Sequence, residues 1–126
     1  MSTVLIVDDF PAVRKALRSL LEKQLSSVVC IEAISGLEAI AKAKTSCPAL
    51  IILDLSMPKM DGFQTATVLQ RMMPQVPIFM FTAHDGPTVE SKAASVGIRA
   101  VFSKYTGIKA LVAQASELLD FSHASA

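Results

Sequence analysis

Five short apolar runs, separated by longer segments with the apolar spacing of helices, constrain this sequence more than any other feature. The runs cover residues 3–7, 28–33, 50–53, 78–81 and 100–102. Each is apolar at consecutive positions, which is typical of strands buried on both faces of a parallel sheet. Strands that alternate with helical segments form a parallel sheet covered by helices. We therefore predict a doubly wound α/β fold with five strands and helices on both faces of the sheet.

The segments between the runs also contain signals for helix starts and ends. Helices are predicted over residues 11–24, from 35 to about 45, 61–72, from 87 to about 96, and from 108 to about 120. Ser35 and Glu38 have the spacing of a capping box, and Asp61 is a suitable cap for the third helix. Gly97 is predicted to end the fourth helix in the left-handed conformation.

The first predicted helix is amphipathic. One stripe carries the apolar residues Val13, Leu17, Leu20 and Leu21. The charged residues Arg14, Arg18, Glu22 and Lys23 are predicted to lie mostly on the other side, which faces solvent.

Length and composition limit the class of protein. A chain of 126 residues suits one domain, and 52% hydrophobic with 18% charged residues suits a compact core. The formal net charge of +1 gives no basic excess for direct binding of nucleic acid or an anionic membrane. The final residues, 122–126, are predicted to be a short frayed tail.

The two cysteines and the N-terminal segment favour a soluble cytoplasmic protein. Cys30 and Cys47 form neither a CxxC pattern nor a dense disulfide framework, and no signal sequence is recognisable. Both cysteines are predicted to be buried as small hydrophobic residues without a functional role.

Polar residues at the ends of the predicted strands are the candidate functional groups. They are Asp8, Asp9, Asp54, Thr82 and Lys104. Chemistry in such folds collects outside the carboxyl ends of the strands. A single aspartate there is usually a helix cap, but three carboxylates at one edge repel one another unless a cation shares the site.

Magnesium suits this set of residues because it takes oxygen ligands and leaves positions for phosphate oxygens. A remaining carboxylate can act as a nucleophile and form an aspartyl phosphate. Lys104 supplies a positive charge for the phosphate, and the hydroxyl of Thr82 supplies a hydrogen bond. The residues therefore predict a phosphoryl-transfer site.

Four motifs resemble the signature set of response regulator receiver domains. They lie at residues 7–9 (Val-Asp-Asp), 54–62 (Asp-Leu-Ser-Met-Pro-Lys-Met-Asp-Gly), 81–83 (Phe-Thr-Ala) and 103–104 (Ser-Lys), in that family's order and spacing. The resemblance extends over essentially the whole chain. It implies a flavodoxin-like, CheY-like fold with strand order 2-1-3-4-5, a receiver domain over residues 1–121 and a tail over residues 122–126.

The resemblance also implies a role for each matching residue. Asp54 is the implied phosphoacceptor, Asp9 the direct metal ligand and Asp8 a ligand through water. The backbone carbonyl of Ser56 completes the protein ligands for Mg²⁺, with Mn²⁺ as an alternative ion. Thr82 and Lys104 are the implied switch pair.

Three further positions flank the implied phosphate. The small side chain of Ala83 leaves the phosphate open to a donor kinase. Ser56 and His84 occupy variable positions that set the lifetime of the phosphate in this family. The alternative for His84 is a solvated loop histidine without a role.

The function implied by the resemblance is signalling and not enzymatic turnover. The domain is expected to accept a phosphoryl group from a sensor histidine kinase, a phosphotransfer protein or a small phosphodonor, and to relay the signal by conformational change. The signal is expected to pass to a downstream effector or to a fused output domain outside this chain. Residues 7–14 resemble regulators with a C-terminal helix-turn-helix domain. A homodimer through the fourth helix, fifth strand and fifth helix is left open.

Two positions depart from the family pattern. Val101 stands where receivers usually have Tyr or Phe, whereas the adjacent Phe102 is predicted to face the opposite side and belong to the core. Tyr105 follows Lys104 where the family usually has Pro after a cis peptide bond. A cis bond before a non-proline residue costs about 3 kcal/mol, so a trans bond is expected. The switch is then expected to operate through Thr82 and the backbone.

Three other functions would require different residues or a different mechanism. A magnesium phosphatase with an aspartyl nucleophile would have Asp-x-Asp after the first strand, where this chain has Asp8-Asp9-Phe10. A flavin or nucleotide site would need a phosphate-binding loop there, and two carboxylates repel phosphate. A receiver-like interaction module that signals without phosphorylation stays open because of Val101 and Tyr105.

Overall fold

The predicted α/β architecture is confirmed. The computed structural model describes the backbone of residues 1–124 and the side chains of residues 1–119. In chain order its elements are β1 (Ser2–Val7), α1 (Pro11–Gln24), β2 (Val28–Ala33), α2 (Gly36–Ser46), β3 (Leu50–Leu53), α3 (Gly62–Met72), β4 (Ile78–Thr82), α4 (Pro87–Ser95), β5 (Ala100–Ser103) and α5 (Ile108–Ala124). Within the described residues, no helix is both long and apolar enough to span a membrane.

The sheet is parallel and has the order β2-β1-β3-β4-β5, as predicted. Val7 pairs with Leu53, and Thr82 pairs with Ser103. The last residues of four strands therefore lie along one edge of the sheet, and the residues that follow them are brought together.

Two cores cover the two faces of the sheet because successive side chains of a strand point to opposite faces. One core packs strand residues such as Ile52 and Phe79 against α1 and α5. The other packs Ile51 and Met80 against α2, α3 and α4. Phe102 lies in the first core, where its ring makes an edge contact with Phe79 at a centroid distance of 5.2 Å. This placement confirms that Phe102 is a core residue.

Helix α1 differs from its prediction at one position. Leu17 and Leu21 are buried as predicted, but Arg14 is buried with them and is only 9% exposed. The prediction that Arg14 faces solvent was wrong because its side chain is covered between α1 and the first two strands, where it has polar partners.

The starts of α2 and α3 follow the capping signals to different degrees. The side chain of Asp61 accepts a hydrogen bond from the backbone of Gln64, and the Gln64 side chain accepts one from the backbone of Asp61, both at 2.9 Å. Ser35 accepts from the backbone of Glu38 at 3.1 Å. The Glu38 side chain accepts from Ile34 instead of Ser35, so only half of the predicted capping box forms there.

Two segment ends differ from the predictions. Helix α5 continues to Ala124 instead of ending near Asp120, so part of the predicted tail is helical. Residues 125 and 126 lie outside the described residues.

Cys47 is exposed, so its predicted burial was wrong. It ends α2 in the left-handed conformation (φ 47°), just before Pro48. Cys30 is buried, and Gly97 follows α4 with φ 89°, both as predicted.

Strand β2 is an edge strand whose outward backbone groups are bonded by side chains. Glu22 accepts from the backbone N–H of Cys30 at 2.9 Å, and Glu38 accepts from that of Ile34 at 3.1 Å. Between them, Lys42 donates to the carbonyl oxygen of Glu32 at 2.6 Å. Side chains from both flanking helices thus occupy the open side of β2.

Candidate functional site

Three carboxylates meet at the carboxyl edge of the sheet. Asp8 follows β1 and Asp54 follows β3, its direct neighbour, and the backbone N–H of Asp54 donates to the carbonyl of Val7 at 3.0 Å. One carboxylate oxygen each from Asp8, Asp9 and Asp54 lies within 4.8 Å of the other two. Asp8 and Asp54 are 2% and 4% exposed, whereas Asp9 is exposed. The cluster therefore has two buried acids and one acid open to solvent.

Both the backbone and the carboxylate of Asp8 have polar partners. Its backbone N–H donates to Ala33 at 3.1 Å, and its carbonyl oxygen accepts from Arg14 at 2.7 Å. Its Oδ1 atom accepts from the backbone of Phe10 at 2.9 Å. Its Oδ2 atom forms an ion pair with Lys104 at 2.6 Å. These contacts fix both the backbone and the carboxylate of Asp8.

Lys104 provides the positive charge of the site. Its Nζ atom lies 2.6 Å from Asp8 Oδ2 and 3.2 Å from Asp54 Oδ2. Its backbone N–H donates to the carbonyl of Thr82 at 2.9 Å, which anchors the end of β5 to the end of β4. The predicted meeting of Lys104 with the acidic cluster is therefore present in the structure.

The electrostatics of the site show an excess of negative charge. Burial, and next the negative charge of Asp8, raise the pKa of Asp54 above its ordinary value even though Lys104 opposes the shift. Burial alone would lower the pKa of Lys104, but its hydrogen bond to Asp8 and the charge of Asp54 outweigh this effect and raise it. One ammonium group does not neutralise three carboxylates. A hard divalent cation would complete the balance, and the oxygen-only donor set suits Mg²⁺.

Thr82 is the last residue of β4 and is fully buried. Its hydroxyl oxygen accepts a hydrogen bond from the backbone N–H of His84 at 3.1 Å. Ala83 is half-buried and His84 is exposed, so both follow Thr82 at the rim of the site. The lifetime-tuning role of His84 stays a prediction.

The loop between β3 and α3 supplies the opposite rim. Ser56 is exposed two residues after Asp54, and the role of its carbonyl stays a prediction. Gly62 brings the start of α3 against the end of β3, since its N–H donates to the carbonyl oxygen of Leu55 at 2.8 Å. A Cβ atom on Gly62 would lie 2.4 Å from the carbonyl oxygen of Asp54. Only glycine fits there without displacing the backbone of the site.

The two departures from the family pattern lie beside the site. Val101 is half-buried and packs against the core on the side of α3 and α4, opposite to Phe102. Tyr105 is 79% exposed, and its backbone N–H donates to the hydroxyl of Ser103 at 3.1 Å. The Lys104–Tyr105 peptide bond is trans, as expected, and no cis bond occurs among the described residues.

The sequence did not predict that Arg14 contacts the site through the backbone of Asp8. Amphipathic patterning assigns a lone arginine in a helix to the solvent side. Its spacing was the available signal, because Arg14, Leu17 and Leu21 are separated by three and four residues and therefore share one face of α1. A charged residue on the apolar face indicates a buried partner.

Comparison with known proteins places this arrangement in a family. Residues 4–116 match the family model described as response regulator receiver domain. The chain belongs to the response regulator receiver family. The family is one of two-component signalling, and the membership argues against the phosphatase and flavin alternatives.

Relatives and solved structures agree with this membership. The chain is 37% identical over 106 residues to the response regulator protein VraR of Staphylococcus aureus, covering 84% of this chain and 51% of that protein. It therefore spans about half the length of the curated relatives it matches.

Two solved structures show the same fold. The chemotaxis protein CheY4 of Vibrio cholerae superposes with a TM-score of 0.84 at 27% identity, covering 94% of this chain and 98% of that one. A LuxR-family two-component response regulator from Aurantimonas sp. SI85-9A1 superposes with a TM-score of 0.86 at 26% identity, covering 95% and 86%. Both likenesses extend over nearly all of this chain.

Proposed function

We propose that this receiver domain accepts a phosphoryl group on Asp54 in a Mg²⁺-dependent reaction and relays the signal by a change of conformation. The observation that carries the proposal is the position of Asp54. Its buried carboxylate lies 3.2 Å from Lys104 and shares a cluster with Asp8 and Asp9. A buried acid with a raised pKa, a fixed cation and two further acids has the features of a functional site.

The reaction needs a nucleophile, and the ionised carboxylate of Asp54 supplies it. One of its oxygens forms a bond to phosphorus while the bond from phosphorus to the donor breaks, and the donor leaves with that electron pair. In its ionised form the nucleophile has no proton to lose. Lys104 is placed to pair with the phosphoryl oxygens once Asp54 has become an acyl phosphate.

The metal would be held by Asp9, Asp8, Asp54 and the backbone carbonyl of Ser56. Asp9 is the solvent-open acid of the cluster, which suits a ligand to an ion that keeps several waters. When bound, the ion supplies positive charge for the phosphoryl oxygens in the transition state. Mn²⁺ takes the same oxygen ligands and is expected to substitute.

Thr82 is proposed to sense the phosphate. Its hydroxyl accepts a hydrogen bond from His84, and a hydroxyl group that accepts a bond keeps its own proton for donation. Because Val101 replaces the usual aromatic residue, we propose that the response passes through Thr82 and the backbone of β4 and β5. Such a response is a shift between two populations of the domain.

The proposed donors are a sensor histidine kinase, a phosphotransfer protein or a small phosphodonor. The chain spans about half of the response regulators that it matches, so the recipient of the signal is proposed to be an effector or a fused output domain. We propose that the domain is a phosphoacceptor and not an enzyme with an external substrate to turn over.

Intact-mass measurement after incubation with acetyl phosphate and Mg²⁺ tests the proposal. The expected result is one phosphoryl adduct on the parent protein and none on Asp54→Ala. Asp85→Ala is the matched control, since it removes an exposed acid from the neighbouring loop after β4. An adduct that persists in Asp54→Ala, or one that forms equally in excess chelator, contradicts the proposal.

A phosphorylation-independent interaction module is the second candidate, favoured by Val101 and Tyr105 at the switch positions. Amide spectra of the protein before and after phosphorylation separate the two. Shifts at Thr82, Val101 and the α4 residues support a phosphorylation switch. An adduct that forms without any shift beyond the site would favour the module.

A further inference from the structure

Arg14 is a buried cation with two fixed partners. Its Nε atom donates to Glu32 Oε1 at 2.9 Å, and an Nη atom donates to the carbonyl oxygen of Asp8 at 2.7 Å. The residue is 9% exposed, and its bond to Asp8 is buried. Arginine can do this because its planar guanidinium group presents several donors in a fixed geometry. Arg14 thereby links the edge strand β2 to the turn that follows β1.

The carbonyl of Asp8 belongs to the peptide that joins the two acids of this turn. The orientation of that peptide plane sets the direction in which the chain leaves for Asp9, because a peptide unit is rigid. Asp9 is exposed, and the course of its backbone sets where its side chain begins. A donor that fixes the Asp8 carbonyl therefore also fixes the starting point of the Asp9 side chain.

Glu32 completes the support behind this turn. It lies in β2 opposite Ile6 of β1, and its neighbour Ala33 accepts the backbone hydrogen bond of Asp8. Its second carboxylate oxygen accepts from Arg18 at 3.0 Å. Glu32 thus neutralises Arg14 and aims its guanidinium group, while Arg18 shares Glu32 without contacting Asp8.

We propose that Arg14 is a positioning residue for the metal site, holding the Asp8–Asp9 peptide so that both carboxylates are directed toward Asp54. The inference rests on the proposed metal-dependent function of this cluster. Arg14 does not contact the reacting atoms; it acts through the backbone of the metal-binding turn. Partners of this kind behind metal ligands change metal affinity or activity by about 10-fold to 100-fold when they are removed.

The test measures Mn²⁺ affinity by water proton relaxation, with Mg²⁺ as competitor, on the parent, Arg14→Met and Arg18→Met. Arg18→Met is the matched control because it removes a cation from the same helix and the same Glu32. We expect Arg14→Met to bind Mn²⁺ about 10-fold to 100-fold more weakly, and Arg18→Met to bind like the parent.

A second readout is amide hydrogen exchange in the metal-free protein. If Arg14 only stabilised the fold, its replacement would accelerate exchange throughout the core and not mainly at the metal-binding turn. Amide hydrogen exchange at Phe10, whose N–H is bonded to Asp8, is expected to accelerate in Arg14→Met more than exchange in the β3 and β4 cores. Arg14→Lys replaces Arg14→Met if the latter does not fold, since an ammonium group lacks the guanidinium fork. Parent-like Mn²⁺ affinity in the folded Arg14 variant overturns the inference, and so does equal acceleration at Phe10 and in the core.

The failure of this inference and that of the proposed function give different results. If the parent accepts the phosphoryl group and Arg14→Met binds Mn²⁺ like the parent, only the positioning role falls. If the parent binds Mn²⁺ and Arg14→Met binds it more weakly, but the parent takes no phosphoryl adduct, only the phosphoacceptor function falls.

Discussion

The Nζ atom of Lys104 lies closer to Asp8, at 2.6 Å, than to Asp54, at 3.2 Å. Asp8 is also held at its other carboxylate oxygen by Phe10. In the proposed reaction Lys104 is therefore anchored by Asp8, and the less tightly paired Asp54 is available as the nucleophile. This division of roles between two buried acids underlies the predictions that follow.

Replacing Asp54 with Asn is expected to stabilise the metal-free protein at neutral pH. Burial and the charge of Asp8 raise the pKa of Asp54 in the folded state above its ordinary value of 3.8. Ionisation therefore costs folding free energy, about 1.4 kcal/mol for each unit by which the folded pKa exceeds the unfolded one. The advantage of Asn should be full above the folded pKa and vanish below the unfolded pKa.

Urea unfolding of the parent and Asp54→Asn across this pH range measures the effect, and Mg²⁺ should reduce the difference between them. Asp85→Asn is the control for replacing an acid by its amide, because Asp85 is exposed in the loop after β4. A difference between Asp54→Asn and the parent that grows as pH falls would have the wrong sign for this explanation.

Gly62→Ala is expected to destabilise the protein by about 1–3 kcal/mol, the usual cost of overpacking. The new Cβ atom would lie 2.4 Å from the carbonyl oxygen of Asp54 and 2.8 Å from Cα of Leu55, both of them backbone atoms that cannot rotate away. Because the displaced strand end carries Asp54, the phosphorylation rate with acetyl phosphate should fall as well.

Gly36→Ala is the matched control for Gly62→Ala, since its nearest contacts are the side-chain atoms of Thr65 and Met60. It is expected to leave the phosphorylation rate unchanged even where it lowers stability. Equal losses of phosphorylation in both variants would show that the rate follows stability alone.

The two cysteines are expected to differ sharply in reactivity. Burial, together with the charge of Glu22, raises the pKa of the Cys30 thiol to about 12, whereas Cys47 is exposed at the end of α2. Since the thiolate is the reactive form, native protein at pH 8 should take one maleimide label, and Cys47→Ser should take none. Both thiols of the parent should react in urea. Rapid labelling of native Cys47→Ser would contradict the burial of Cys30.

His84→Ala is expected to change the decay rate of the aspartyl phosphate. His84 directly follows Ala83 at the rim of the site, and an exposed imidazole there can bind or exclude the water that hydrolyses the acyl phosphate. Its backbone N–H donates to Thr82, and alanine keeps that bond, so any effect reports the side chain. The decay of the adduct measured by mass gives the rate, and an unchanged rate would remove His84 from the mechanism.

The strands and the location of the site were predictable because they depend on local patterns. Apolar runs at consecutive positions indicate buried parallel strands, and a parallel sheet necessarily gathers Asp8, Asp54 and the ends of β4 and β5 at one edge. The strand order itself was taken from the family resemblance, since short apolar runs do not specify their neighbours. It agrees with the observed order.

Three details were not predicted, one because it depends on distant segments and two because local patterns left them undetermined. The spacing of Arg14 with Leu17 and Leu21 is compatible with burial, but helical periodicity does not reveal that its partners are Glu32 and the carbonyl of Asp8. Cys47 is exposed and ends α2 in the left-handed conformation, a position that glycine usually occupies and that the sequence therefore did not signal. Glu38 bonds to Ile34 and Lys42 instead of completing its capping box. The Ser-x-x-Glu spacing does not determine which of the nearby donors the Glu38 carboxylate accepts from.

The side chains along β2 have a consequence for how this protein behaves at high concentration. An uncovered edge strand is a template on which another chain can add a strand, and growth of this kind leads to aggregation. With Glu22, Lys42 and Glu38 already bonded to its backbone, β2 is a poor template. Any extension of the sheet by strand addition is therefore expected at β5, on the far side from the helices that cover β2.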